Sequence, residues 1–220
     1  PGGTGFLGEK AAARVVEYLS LPLSALKDLR RRVLVELVKE RQQPPQRRRE
    51  SFQPGVRYEN QAEPPVFTVS LRTASQLSAE LLKLKPALLY LPADEGAAHP
   101  EAVKRCRQAG VPVAAVLPRI CTDRELPQLE KELAALRELG VEEALAGTWG
   151  AVRQAQRMGF AVRGDYGLGV YNSQTMKELK RLGLIGAAVS FEMKFPQIRD
   201  ISKTVPTEFI AYGRLPLMIT

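Results

Sequence analysis

At 220 residues the chain is long enough to bury a substantial core, as one large domain or one domain plus an appendage. Its 45% hydrophobic and 25% charged content is ordinary for a globular protein, two cysteines exclude a disulfide framework, and no apolar run approaches the roughly 18 residues that cross a bilayer. The net charge is +8, and residues 1–60 hold 12 Lys/Arg against 7 Asp/Glu, so +5 of it lies there, around Arg30-Arg31-Arg32 and Arg47-Arg48-Arg49.

Such clusters attract phosphates, but only Phe52 and Tyr58 are interleaved near the second one, so a solvated face and a solvated linker compete with a nucleic-acid site. Cys106 and Cys121 match no CxxC spacing and read as reduced thiols of a cytoplasmic protein. The start at Pro1, without a basic-then-apolar signal pattern, suggests a piece excised from a longer chain.

In chain order, residues 9–19 can form a short helix or a strand. A clearer helix follows over 25–40, with Ser24 as N-cap and Leu26, Leu29, Val33 and Leu37 recurring at helical spacing. Its apolar stripe should pack against something larger. Residues 1–41 thus read as a helical segment from a preceding interdomain region. Residues 42–65, rich in proline, arginine and polar side chains, read as a linker.

From residue 66 to 220 short apolar runs alternate with amphipathic helices. The predicted strands are Val66–Leu71, Ala87–Leu91, Val113–Leu117, Glu143–Ala146, Ala161–Asp165, Ala187–Phe191 and Glu208–Tyr212. Predicted helices fall near 74–84, 98–109, 125–139, 149–158, 173–182 and 195–204. In the helix near 125–139, Leu126, Leu129, Leu133, Leu136 and Leu139 share one face and Gly140 ends it. Thr122 and Glu125 resemble a capping box, yet Pro127 would then lie inside the helix, so the start is expected near Pro127.

Strand–helix alternation implies parallel strands with right-handed crossovers, apolar on both faces because helices cover the sheet. Seven strands are one short of a (β/α)8 barrel. The alternatives are an incomplete TIM-like barrel and an open doubly wound sheet. No strand leads into GxGxxG, Gly167-Leu168-Gly169 being the nearest approach, which favours the barrel.

In such barrels functional side chains sit at the C-terminal ends of strands. Those ends offer Asp94 and Glu95, Arg119, Thr148 and Trp149, Asp165 with Tyr166 and Asn172, Glu192, and Arg214. Carboxylates and arginines on one rim suit an anionic or polar ligand. The ligand-binding candidates are Asp165, Asn172, Glu192, Arg214 and Arg119. Each also has a plainer reading. Asp94-Glu95 can precede a helix and stay solvated, Asn172 or Ser173 can be an N-cap, and Arg214 can pair with Glu192 to close the mouth.

Hydrolase constellations are absent. His99, the single histidine, lies in a predicted loop, so there is no HExxH site, and no serine sits in GxSxG. Cys106 reads as a buried helix residue. Cys121 can face the rim but has no base nearby in sequence.

The run Gly164-Asp165-Tyr166-Gly167-Leu168-Gly169-Val170-Tyr171-Asn172-Ser173 resembles the Asp-Tyr/Phe-x-Leu-Asn-Val-x-Asn stretch of the collagenase-like peptidases, family thirty-two of the peptidases of unknown catalytic type. Gly169 stands where Asn is usual. The run from Val205 to Met218 resembles the approach to that family's signature, Glu-x-Phe-x-x-Gly. Glu208 and Gly213 match it, Ile210 replaces Phe, and Pro216 stands near the signature's cysteine. Gly2-Gly3-Thr4 and Leu21 to Leu26 look like the end of the interdomain region of long members.

The resemblance implies the C-terminal barrel portion of a collagenase-like peptidase, inactive as a fragment, with an upstream domain of the same intact chain as its partner and peptide as substrate. It leaves two alternatives. One is part of an iron–sulfur-dependent enzyme hydroxylating RNA bases or quinone precursors. The other is a non-catalytic half supporting an upstream catalytic domain. Relatives of the hydroxylating kind hold their cluster with about four cysteines, so with two cysteines no cofactor is expected here, although the intact protein can carry a cluster. No membrane partner and no metal are expected.

Overall fold

A computed structural model describes residues 5, 6, 12, 20–48, 51, 59–60 and 63–215. The chain divides into two compact units, Pro1–Gln53 and Pro54–Thr220. The expectation for 9–19 and much of the 42–65 linker lies outside the described residues.

The first unit contains helix α1 (Leu23–Gln42), entered from extended Pro22 and carrying Lys39 and Arg41 in its last turn, where they complement the carbonyl end. It starts ahead of the expected Ser24 cap, and none of its residues is buried.

The second unit is a seven-stranded, all-parallel sheet in the order β1 to β7. The strands are β1 (Thr68–Ser70), β2 (Leu88–Pro92), β3 (Val113–Val116), β4 (Glu143–Ala146), β5 (Ala161–Gly164), β6 (Gly186–Ala188) and β7 (Thr207–Glu208). The helices are α2 (Ala79–Lys83), α3 (Ala93–Ala98), α4 (Pro100–Gln108), α5 (Leu126–Glu138), α6 (Trp149–Arg157), α7 (Ser173–Arg181) and α8 (Phe195–Asp200). The sheet curls until the side chain of Glu208 on β7 reaches Tyr90 on β2 and Thr68 on β1. This is the incomplete TIM-like barrel. Among the described residues no ladder joins β7 to β1. No described helix is long and apolar enough to cross a membrane.

Alternation along each strand makes two cores. Leu89, Leu91, Ala115, Ala144 and Val162 face outward and pack with Cys106, Leu133, Leu136, Val152, Met176 and Leu179. Leu88, Tyr90, Ala114 and Leu145 face inward as a smaller cluster. The registers Ala114↔Glu143 and Leu145↔Arg163 put Glu143 and Arg163 on that inner face too. On α5, Leu129, Leu133 and Leu136 are buried as the spacing required.

Several boundaries differ from expectation. The stretch between the predicted strand ending at Leu91 and the helix expected near 98–109 forms a helix of its own, α3. It holds because Gly96 lies so close to α5 that an added Cβ would come within 2.9 Å of Leu136 Cδ2. The helix expected over 74–84 is a 3-10 turn (Ala74–Gln76) followed by α2, which Ser78 caps at Leu81 N. Helix α5 starts at Leu126 with Pro127 in its first turn, where a missing N–H costs nothing. Thr122 and Glu125 do pair, in the preceding turn, where Glu125 Oε2 accepts from Thr122 N and Oγ1 at 2.8 Å each. Strand β7 ends at Glu208, since Phe209 leaves the sheet to meet the Phe195 ring edge-on at 6.2 Å.

Candidate binding mouth

Because all seven strands run the same way, the connections after β3, β4, β5 and β6 emerge at one end. That end gathers Arg119, Gly147, Asp165, Tyr166 and Phe191. The Arg119 guanidinium lies over the Tyr166 ring, Cζ 5.1 Å from the centroid, and Nη1 donates to Tyr166 Oη at 3.3 Å. Tyr166 meets Phe191 edge-to-face at 5.4 Å. Asp165 caps the turn after β5, Oδ1 accepting from Tyr166 N at 2.8 Å. Burial raises the Asp165 carboxyl above the usual range, while the Tyr166 N–H and the Arg119 charge pull it back and Glu208 adds to the rise.

The close approach of these groups depends on Gly167. A Cβ on Gly167 would lie 2.5 Å from Gly147 O and 3.3 Å from Arg119 Nη2. A Cβ on Gly147 would touch Asp165 Oδ2 at 3.5 Å. A side chain at 167 would therefore lift the Tyr166 turn off Arg119.

Below the mouth, inside the barrel, lies a second polar group. Tyr90 Oη donates to Glu208, 2.7 and 2.8 Å from its two oxygens. Thr68 Oγ1 donates to the same carboxylate at 3.4 Å. Arg163 donates through Nε to Glu143 Oε2 and through Nη1 to Glu208 Oε1 at 3.3 Å. Arg163 and Glu208 are largely shielded, with side chains 19% and 23% exposed. Burial opposes the Arg163 charge, but the Glu143 hydrogen bond and the surrounding negative groups raise its pKa. Burial, and then the Glu208 charge, push the Tyr90 phenol far above its usual range, so it stays a neutral donor.

The rim residues expected from the sequence separate into different roles. Arg119 and Asp165 come together at the mouth. Asn172 is the N-cap of α7, its Oδ1 accepting from Gln174 N at 3.0 Å and Thr175 N at 2.9 Å. Thr148 caps α6 at Ala151 N, and Trp149 opens that helix half exposed. Glu192 accepts from Tyr171 Oη. Arg214 is exposed and forms no ion pair with Glu192, so that strut is absent. Asp94 and Glu95 lie in the first turn of α3, which leads into α4; Asp94 is exposed, and Glu95 Oε2 accepts from Ala74 N at 2.7 Å.

Sequence reasoning missed Tyr90, Glu143, Arg163 and Glu208 as site residues. The available signal was charge on the inward-facing register of strands otherwise made of apolar residues.

His99 joins α3 to α4 at the N-terminal end of the helix that carries Cys106, its Nδ1 3.5 Å from Glu101 Oε1. Cys106 is buried in α4, and burial raises its thiol. Cys121 is exposed, its thiol raised by desolvation and then by Glu125, Asp123 and Glu132. No three His, Cys, Asp or Glu side chains among the described residues are placed to hold a metal ion. These two thiols do not fit an iron–sulfur cluster.

The curled parallel sheet with its polar groups at one end defines a TIM-barrel-type protein. The chain belongs to peptidase family U32, whose sequence model matches residues 95–220, more than half of it. Among solved structures it is similar to the U32 peptidase Mk0906, with a TM-score of 0.50 and 14% identity over 70% of this chain and 72% of that one. It is also similar, at a TM-score of 0.42 and 13% identity, to a mandelate racemase/muconate lactonizing protein from Paracoccus denitrificans, over 66% and 47% of the two chains. No curated protein matches the sequence.

Proposed function

We propose that this chain is the substrate-binding barrel of a U32 peptidase, engaging peptide at its C-terminal mouth and not cleaving it unaided. The observation that carries this reading is the Arg119–Tyr166–Asp165 assembly, a charged fork and aromatic faces set at the end where barrel proteins bind. Family membership and the likeness to a structure described as a peptidase support the substrate class.

Cleavage by a thiol needs a lowered thiol pKa and a base beside it, and a histidine base needs a nucleophile beside it. Both thiols are raised rather than lowered, and the histidine faces Glu101. The cleaving groups come from elsewhere in this reading, an upstream domain of the same longer chain being the partner it calls for. Free thiols suit work in the cytoplasm.

The test is incubation of rigorously purified protein with fluorescein-labelled gelatin and casein. Release of label no faster than from a heat-inactivated control is expected. Cleavage abolished by one point substitution within the chain would overturn the proposal.

A further inference from the structure

We infer that the groove beside Arg119 is a binding site for a monocarboxylate that carries an apolar group. This rests on the mouth being the binding end and specifies what it binds. The groove, of about 480 Å³, runs between the β3–α5 connection and the first turns of α5 and α6. That is the size of a small-molecule pocket.

Arg119 supplies the anion contact. A guanidinium has five N–H donors. Among the described residues Arg119 uses one, toward Tyr166 Oη, and no carboxylate lies within ion-pair distance of it. Its Cζ lies 5.1 Å from the Tyr166 ring centroid, so the ring face and the Tyr166 hydroxyl together hold the guanidinium in place. A fork fixed in this way is pre-organised for two parallel bonds to a carboxylate.

The rest of the groove selects the substituent. Ile120, Leu126, Leu129 and Ala151 line it, and Ile120 is 60% exposed, apolar area that an apolar ligand group would cover. Asp123 lines the same groove and Asp165 adds negative charge beside Arg119, so a dianion meets repulsion that a monoanion largely escapes. A free aryl or branched-alkyl carboxylic acid and the apolar C-terminal residue of a peptide share this chemistry.

The experiment is calorimetric titration of the whole chain with 3-phenylpropionate, its neutral amide and phenyl phosphate. Acetyl-glycyl-phenylalanine separates a peptide terminus from a free acid. The acid should bind at least about tenfold more tightly than the amide, the size of a charge-assisted contact. Arg119→Gln should remove that preference without lowering the melting temperature, and Arg119→Lys should restore little of it, since it returns charge without the fork. Equal affinity for acid and amide in the unaltered protein would overturn the inference, whatever the variants do. Arg119-dependent preference for phenyl phosphate would overturn the carboxylate while leaving the mouth an anion site. No binding by any probe would overturn both this inference and the binding mouth it rests on.

Discussion

Glu208→Ala should lower the stability of the barrel by about 2–4 kcal/mol, the range for removing one member of a shielded, hydrogen-bonded ion pair. Strand β7 has two residues and one ladder neighbour, so the main chain alone holds it weakly. The Glu208 carboxylate supplies the missing closure, accepting from Tyr90, Thr68 and Arg163 on β2, β1 and β5. Truncation strands the Tyr90 hydroxyl and halves the carboxylate cover on Arg163. Glu208→Gln keeps an acceptor for Tyr90 and should lose less. Urea denaturation reads the difference as a shifted midpoint with an unchanged slope. A change within about 0.5 kcal/mol, typical of an ordinary surface substitution, would show that Glu208 does not brace the barrel.

The second large effect is alkaline. Burial and the Glu208 charge hold Tyr90 protonated in the folded barrel, whereas the unfolded chain loses that proton near pH 10. Below pH 10 both states hold the proton and the contribution is complete. Above it the unfolded state binds fewer protons than the folded one, so stability falls as pH rises, by up to about 1.4 kcal/mol per pH unit. Tyr90→Phe removes this group from the balance. The variant should be less stable than the parent near neutrality by about 1 kcal/mol, for the lost hydrogen bond. It should then overtake the parent as pH rises above 10. Parallel stability profiles of the two proteins in alkali would refute the assignment.

Much of the fold was legible from periodicity. The parallel barrel followed from short runs of Val, Leu and Ala alternating with amphipathic segments such as α5, whose Leu129, Leu133 and Leu136 are buried as their spacing demanded. Helix α3 was not recognised, because six residues interrupted by Gly96 are too few to show a helical period, although Ala93, Ala97 and Ala98 favour helix and Asp94 and Glu95 suit its first turn. Its seat against Leu136, forty residues on, is a tertiary contact. The extent of β7 was hidden for a similar reason, Phe209 being as strand-like as its neighbours but drawn to Phe195.

At the site, strand ends put Arg119 and Asp165 on one rim, but did not show that Gly167 would pack against Gly147 O and let the Tyr166 turn reach Arg119. The inner polar group was missed because its members lie within strands, and only register shows that Glu143, Arg163, Tyr90 and Glu208 share the inward face.

The most direct test of a binding mouth is amide chemical-shift mapping by nuclear magnetic resonance during titration with acetyl-glycyl-phenylalanine. The shifts should concentrate in residues 118–123, 147–151 and 165–168, on the connections that follow β3, β4 and β5. Shifts confined to the opposite end, at residues 111–113, 141–143 and 184–186 ahead of the strands, would contradict the account.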